Sequence, residues 1–235
     1  MGGREPKTLL PLDGHEPLMS YLLAGLQRAS IAELLVITGF KPDRVESYVT
    51  SNWSGNVSFL RNARFASWGN FHSVRIAIDA SPGDDLLLIN SDIVVHPDVF
   101  TRVTAEVADV VLAVERRDVF DGEEMRVTVA DERVVAIGKD IDPRSSHGEF
   151  AGVSLLGPDA GELYTRIASA LEWRAETSLY YEDVYARMLS EIEVRTAWVA
   201  PGEYAEVDAP EDIARATAVL DAHPEAWRAA VDEPA

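Results

Sequence analysis

The sequence contains no cysteine, which excludes disulfides, thiolate nucleophiles and zinc sites built on sulfur. No apolar run approaches the roughly 18 residues of a membrane span, and the N-terminus lacks the apolar core of a signal peptide. Basic residues are scarce, since 21 Lys and Arg stand against 40 Asp and Glu, a formal net charge of −19. This balance argues against nucleic acid or anionic membranes as partners, but it allows a small anion in a locally basic pocket. We therefore expect a cytoplasmic protein that binds neither.

The 235 residues, 47% of them hydrophobic, suffice for one large domain with a substantial core. In the first half, helical patterns alternate with short apolar runs such as 34–37 and 86–89, which are typical of strands buried on both faces. In the second half, residues 125–129 and 133–137 predict an antiparallel hairpin. The pattern predicts an α/β fold with a mixed, mostly parallel sheet flanked by helices, in a single domain over residues 1–235.

The best-marked candidate for chemistry is Asp92, at the end of a predicted strand. Four apolar residues, 86–89, run directly into Asn90-Ser91-Asp92. Because open parallel sheets bind ligands beyond the carboxyl ends of their strands, Asp92 would lie at a binding rim. Its carboxylate is a natural ligand for Mg²⁺. The same sequence also fits a turn aspartate that accepts hydrogen bonds from nearby amides, and spacing alone favours neither reading.

Four further candidate residues have simple structural alternatives. Asp208 precedes Glu211 by three residues, a spacing that favours helix capping over metal binding. Asn70 and Ser73 lie between a strand and a helix, where they could read a planar base or merely cap the helix. Lys7 could contact a phosphate, or it could be a solvated lysine near the chain end.

A series of short motifs follows one order along the chain. They are Pro6-Lys7 with Pro11-Leu12, Ile37-Thr38-Gly39-Phe40, Asn62-x-x-Phe65, Asn70-x-x-Ser73, Asn90-Ser91-Asp92, Glu124-Met125-Arg126-Val127, Ile137-Gly138-Lys139, Gly148-Glu149-Phe150-Ala151-Gly152, Tyr181-Glu182-Asp183 and Glu206-Val207-Asp208-x-Pro210-x-Asp212. The first five resemble the nucleotidyltransferase superfamily that makes nucleotide sugars and CDP-alcohols. The later ones are similar to its phosphocholine cytidylyltransferase-like branch, whose relatives act on inositol phosphate and aminoalkylphosphonates. The resemblance covers residues 6 to about 220.

The resemblance implies a Rossmann-like nucleotidyltransferase fold, with a nucleotide-binding half (about 1–108) and an acceptor-binding half (about 109–235). It implies Mg²⁺-dependent transfer of a cytidylyl group from CTP to a small phosphorylated or phosphonylated alcohol, such as phosphocholine, an aminoalkylphosphonate or a polyol phosphate. Asp92 and Asp208 would hold Mg²⁺, and Lys7 would contact the nucleotide phosphates.

Other residues would bind the two substrates. Asn70 and Ser73 would help to read the base. Arg126 and Lys139 would bind the acceptor's phosphate, although both could equally be exposed cations on a hairpin. The remaining acceptor-binding candidates are Glu149, Tyr181 and Glu182. Tyr180 and Tyr181 are adjacent, and neighbouring residues on a helix point in different directions, so we expect at least one of the two to belong to the core.

One departure from the family lies at the N-terminus. The family begins with an apolar strand and a Gly-x-Gly-x-Arg loop around the triphosphate, whereas this sequence begins at Met1-Gly2-Gly3-Arg4. We expect a segment upstream that supplies both, with Arg4 as a partial substitute for the loop's arginine, and we expect apolar neighbours of the absent central strand to be exposed. The alternatives are a sugar-1-phosphate nucleotidyltransferase using another NTP, or a catalytically impaired relative that binds nucleotide. The oligomeric state stays open, with a homodimer allowed.

Overall fold

The computed structural model describes residues 5–31, 33–120, 122 and 124–227, in which helices and strands alternate as the periodicity predicts. The helices are α1 (Leu18–Arg28), α2 (Pro42–Asn52), α3 (Phe71–Ala80), α4 (Asp98–Ala105), α5 (Pro158–Trp173), α6 (Tyr181–Met188) and α7 (Ile213–Ala222). The strands are β1 (Glu33–Thr38), β2 (Asn56–Arg61), β3 (Leu86–Ile89), β4 (Ile93–Val95), β5 (Val110–Arg116), β6 (Arg126–Ala130), β7 (Arg133–Gly138), β8 (Gly148–Leu156), β9 (Val194–Val199) and β10 (Tyr204–Glu206). None of these helices is long and apolar enough to cross a membrane.

The largest sheet has the strand order β7-β6-β8-β5-β9. Strand β3 also joins this sheet, because it pairs with the last four residues of β8 on the edge opposite β5, whereas β6 pairs with the first two residues on that edge. Strand β8 runs antiparallel to β3, β5 and β6, whereas β5 and β9 are parallel. Two further pairs complete the fold, with β1 parallel to β2 and β4 antiparallel to β10. The sheet is therefore mixed, as predicted, but its parallel share is smaller than predicted because β8 is antiparallel to its neighbours.

Strands β1 and β3 each keep one edge without a strand partner in the part of the chain that the structure describes, because β1 pairs only with β2 and β3 only with β8. Residues 34–37 and 86–89 are consequently half-buried, not buried on both faces as the apolar runs predict. The apolar side chains of these two strands are therefore partly exposed along the unpaired edges.

The core lies on both faces of the large sheet. Along β5, Val110, Leu112 and Val114 join one apolar cluster. Val111 and Ala113, which point the other way, join a second cluster. Helices α3, α5 and α6 cover the first face, and α1, α2 and α4 cover the second. Such burial on two faces fixes the strands, and with them the loops at their carboxyl ends.

The predicted hairpin is formed by β6 and β7 and places Lys139 directly after the second strand. Its turn residues Asp131 and Glu132 have φ values of 47° and 63°, both left-handed. Two such residues give the turn whose twist matches that of the flanking strands.

Candidate functional site

Three acidic side chains converge at one rim of the fold. Asp92 lies between β3 and β4, Glu206 ends β10, and Asp208 follows two residues later. One carboxylate oxygen from each lies within 4.8 Å of the others. The Val207 N–H donates to the Asp92 carbonyl at 2.9 Å and continues the pairing of β4 with β10, which explains how residues so distant in sequence meet.

The structure thus brings Asp92 and Asp208 together and adds Glu206, which sequence reasoning missed. A signal for Glu206 was present, because Glu206 and Asp208 are two positions apart, the spacing that places side chains of an extended segment on one face.

Lys7 lies among these carboxylates. Its Nζ is 3.2 Å from Asp92 Oδ2 and 2.6 Å from Asp208 Oδ1, and its side chain is only 28% exposed. Burial acts to lower the pKa of Lys7, but the charges and hydrogen bonds of the two carboxylates outweigh it and raise the pKa. Lys7 is therefore a fixed cation and not a solvated lysine of the chain end.

The helix-start pattern after residue 208 is real, but a different aspartate forms it. Asp212 Oδ2 accepts the backbone N–H groups of Asp208 and Ala209 at 2.9 and 2.8 Å. The Asp208 carboxylate itself faces Lys7. The capping alternative thus belongs to Asp212 and leaves Asp208 at the rim.

The environment of the Glu206 carboxylate perturbs its ionisation. Burial raises its pKa to about 7, and the charges of Asp92 and Asp208 add to this effect, whereas Lys7 and Lys139 oppose it. A half-buried carboxylate beside two others is stabilised by added positive charge. The donors are all oxygens, which is the ligand type that Mg²⁺ prefers, so these residues fit such an ion.

Asn70 and Ser73 make internal hydrogen bonds in this structure. Ser73 Oγ accepts from Asn62 Nδ2 at 2.9 Å, and Asn62 Oδ1 accepts the Arg64 N–H at 2.8 Å. Asn70 Oδ1 accepts the backbone N–H of Tyr181 at 2.9 Å, and its side chain does not cap α3. Asn70 and Asn62 therefore organise the loop between β2 and α3. Arg4, the third residue expected to bind nucleotide, lies outside the described residues.

Arg126 is not an exposed cation of the hairpin. Its side chain is 7% exposed, and Nη1 donates to the carbonyls of Lys139 and Ile141 at 2.6 and 2.8 Å. The guanidinium therefore clamps the chain that follows β7. It thereby holds the Lys139 backbone in place.

The adjacent tyrosines take different environments, as the helical geometry predicts. Tyr181 is buried, and its hydroxyl donates to Asn90 Oδ1 at 2.9 Å. Tyr180 is 48% exposed, and the Lys139 ammonium lies 5.3 Å from its ring centroid. The prediction that at least one of the pair belongs to the core is confirmed.

Glu149 and Glu182 are both buried, and burial raises the pKa of each to about 7. Arg117, a residue that sequence reasoning missed, lies 2.7 Å from Glu149 and 2.5 Å from Glu115 and moderates the effect on Glu149. Glu182 Oε2 has no hydrogen-bond partner in the described part of the chain. The Tyr181 side chain and the Glu182 backbone also hydrogen-bond to this carboxylate and lower its pKa, which partly offsets the effect of burial.

Comparisons with known proteins identify the family and the fold. Residues 1–136 match the family model of the MobA-like NTP transferase domain. The fold is similar to that of the inositol-1-phosphate CTP transferase from T. maritima, with a TM-score of 0.78, 17% identity, and coverage of 93% of this chain and 89% of that one. It is also similar to CTP:phosphocholine cytidylyltransferase from Streptococcus pneumoniae (TM-score 0.71, 18% identity, 92% and 90% covered). HddC from Yersinia pseudotuberculosis, complexed with GMP-PN, gives a TM-score of 0.68, with 15% identity and 92% and 90% covered. No curated protein sequence matches the chain.

Proposed function

The chain belongs to the family of MobA-like NTP transferase domains, and on this basis we propose that it is a Mg²⁺-dependent cytidylyltransferase. Its class, nucleotidyltransferase, follows from the family and agrees with the fold. The observation that carries the finer proposal is the convergence of Asp92, Glu206 and Asp208 around the Lys7 ammonium. The proposed acceptor is a small phosphorylated or phosphonylated alcohol.

The proposed reaction needs no general base, because a phosphate or phosphonate is already anionic at pH 7. One acceptor oxygen attacks the α-phosphorus of CTP and forms a new P–O bond. The bond from that phosphorus to the oxygen bridging to the β-phosphorus breaks, and pyrophosphate leaves with the electron pair. Catalysis then consists of positioning the two anions and neutralising their charge.

The three carboxylates and Lys7 would have different roles in this reaction. Asp92, Glu206 and Asp208 would hold Mg²⁺, which when bound supplies positive charge to the phosphates. Lys7 provides a second positive charge at the same place, fixed by its two carboxylate partners, and would contact the nucleotide phosphates.

The nucleotide is proposed to bind to the first half of the domain, about 1–108, and the acceptor to the second, about 109–235. The segment from Asn70 to Ser73 would help to read the base from a loop that Asn62 keeps in shape. Arg4 is proposed to contact the triphosphate.

The acceptor proposal rests on the sorting of charge near the rim. Lys139 and the exposed face of Tyr180 lie together, held by the Arg126 clamp. Glu182 is buried in the first turn of α6, the helix that Tyr180 precedes. Its Oε2 has no hydrogen-bond partner among the described residues. Lys139 could bind the phosphate of an acceptor that carries a phosphate at one end and an amine at the other. The Glu182 carboxylate and the ring of Tyr180 could bind the amine. We therefore favour an amine-bearing acceptor over a polyol phosphate, and Glu149 is a further proposed acceptor-binding residue.

Calorimetric titration with CTP, UTP, GTP and ATP, each with and without Mg²⁺, tests the proposal together with an assay of pyrophosphate release. We expect CTP to bind most tightly and only with Mg²⁺. Tightest binding of GTP, UTP or ATP would favour a sugar-1-phosphate nucleotidyltransferase, an alternative motivated by the fold's similarity to HddC, which was solved with GMP-PN. If CTP bound but no acceptor tested gave pyrophosphate release, the result would favour a catalytically impaired relative.

A further inference from the structure

One buried residue, Tyr181, joins the start of α6 to the ends of two other elements. Its hydroxyl donates to Asn90 Oδ1 at 2.9 Å, just beyond β3. Its backbone N–H donates to Asn70 Oδ1 at 2.9 Å, at the start of α3. Tyr181 itself is 3% exposed, whereas Asn70 is exposed and Asn90 is half-buried, so both hydrogen bonds are partly buried.

Asn90 is confined on its other side as well. Its backbone N–H donates to the Gly152 carbonyl of β8 at 2.8 Å. Gly152 has a φ of +70°, and a Cβ added there would lie 3.0 Å from both Cβ and Nδ2 of Asn90. The Asn90 side chain is therefore held between β8 and the Tyr181 hydroxyl, two residues before Asp92.

The segment that leads into α6 is tied down as well. The Gly69 N–H donates to the Thr177 carbonyl at 2.7 Å. A Cβ added at Gly69 would lie 1.8 Å from the Leu179 carbonyl oxygen, so the two backbones touch. Because the start of α6 carries Tyr180 and Glu182, these contacts fix the proposed acceptor side relative to the Asp92 rim.

We propose that Tyr181 is a positioning residue that acts through Asn90 on the Asn90-Ser91-Asp92 turn and keeps Asp92 in register with Glu206 and Asp208. The inference rests on the proposed function, and Tyr181 needs no contact with substrate. Loss of its hydroxyl would leave Asn90 Oδ1 without its donor and let the turn reach other conformations. The carboxylates would then be preorganised for a cation in only a fraction of the molecules.

The test compares Tyr181→Phe with Tyr185→Phe. Tyr185 is equally buried one turn later in α6, and its hydroxyl pairs with Ser154 Oγ at 2.8 Å, away from Asn90. Each variant loses one buried hydroxyl contact, worth about three- to tenfold in an equilibrium. We expect Tyr181→Phe to weaken Mn²⁺ binding, measured by electron paramagnetic resonance, by that factor, and to lower kcat about tenfold while the KM for CTP stays within twofold. Tyr185→Phe should change the Mn²⁺ affinity, kcat and the KM for CTP by no more than twofold.

A double-mutant cycle with Asn90→Ala identifies the route. If Tyr181 acts through Asn90, adding Tyr181→Phe to Asn90→Ala will cause no further loss of Mn²⁺ affinity. The inference would be overturned if Tyr181→Phe and Tyr185→Phe reduced Mn²⁺ affinity equally, or if the losses of affinity in the cycle were additive. It would also be overturned if the unaltered protein bound no Mn²⁺. Absence of CTP turnover in the unaltered protein would instead reject the proposed function, while the Mn²⁺ measurements would still decide the role of Tyr181.

Discussion

The Lys7 Nζ lies 2.6 Å from the Oδ1 of Asp208, although 201 positions separate the two residues in the sequence. The same ammonium lies 3.2 Å from Asp92 Oδ2. A positive charge here offsets the mutual repulsion of Asp92, Glu206 and Asp208, which would otherwise oppose their convergence. The first residues of the described chain thus complete a site whose acidic members come from its middle and its end.

Replacement of Lys7 by Met should make the protein more dependent on a divalent cation. Without the ammonium, the three carboxylates repel one another, so Mg²⁺ should raise the melting temperature more in Lys7→Met than in the unaltered protein. Turnover should fall about ten- to a hundredfold through loss of a charge-assisted contact to phosphate. Lys7→Arg, which keeps the charge, is the control for the thermal shift. An equal effect of Mg²⁺ on all three proteins would contradict the role assigned to Lys7.

Replacement of Glu206 by Gln should weaken cation binding. Loss of one charged ligand should reduce Mn²⁺ affinity about ten- to a hundredfold, the equivalent of about 1.5–3 kcal/mol. Titration calorimetry measures the change, and Glu211→Gln, an exposed glutamate close by in the turn after Asp208, is the matched control. Unchanged affinity in Glu206→Gln would remove Glu206 from the proposed metal site.

Glu182 should make stability depend on pH. Its pKa is about 7 in the folded protein against an ordinary value of 4.5, so the unfolded chain loses this proton first as the pH rises. The contribution of Glu182 to stability therefore falls between pH 4.5 and 7 and is level above pH 7. Glu182→Gln, which cannot ionise, should exceed the unaltered protein by about 1–3 kcal/mol in the free energy of unfolding at pH 8 and equal it at pH 4.

Urea denaturation at several pH values measures this difference, with Glu162→Gln on the exposed face of α5 as the control. A pH profile of Glu182→Gln that parallels that of the unaltered protein would refute the assignment. The same variant tests acceptor choice, since it should weaken turnover of phosphocholine or aminoethylphosphonate relative to a polyol phosphate while CTP binding is spared.

Arg126 should matter mainly for stability. Arg126→Met leaves the carbonyls of Lys139 and Ile141 without their donor and should lower the free energy of unfolding by about 2–4 kcal/mol. Arg133 lies on the same hairpin, 54% exposed and paired with Glu193, and Arg133→Met should cost under about 1 kcal/mol. Chemical denaturation of both variants checks the difference. A stable Arg126→Met protein with a raised KM for acceptor alone would instead return Arg126 to direct phosphate binding.

The open edges of β1 and β3 should accept a strand. Both carry half-buried apolar side chains that a further strand, joined ahead of residue 1, could cover by pairing with either edge. An added segment of six alternating β-branched and apolar residues should raise the melting temperature by several degrees through sheet pairing and burial. A segment of the same length rich in Gly and Ser serves as the control. No difference between the two fusions would show that these edges do not accept a strand.

Much of the fold follows from periodicity, because amphipathic patterns such as those of α1 and α5 indicate both the type of element and its buried face, and a continuous apolar run such as that of β5 indicates a strand buried on both faces. Strands β4 and β10 were not predicted, since three residues are too few to show a period. These two short strands are nevertheless the ones that join Asp92 to Glu206 and Asp208. The resemblance named Asp92 and Asp208, whereas the pairing of β4 with β10 explains why they meet.

By itself, the sequence determined the class of the protein: an acidic, cysteine-free α/β chain with carboxylates after its strands and motifs in the order of a nucleotidyltransferase. Tertiary structure alone decided how individual polar groups are used, because hydrogen bonds form between residues that no sequence spacing relates. In the folded chain, Arg126 donates to backbone carbonyls, Asp212 caps the turn after Asp208, and the Tyr181 hydroxyl donates to Asn90. A side chain's chemistry can be read from its type, but its burial and its partners depend on the packing of the whole chain.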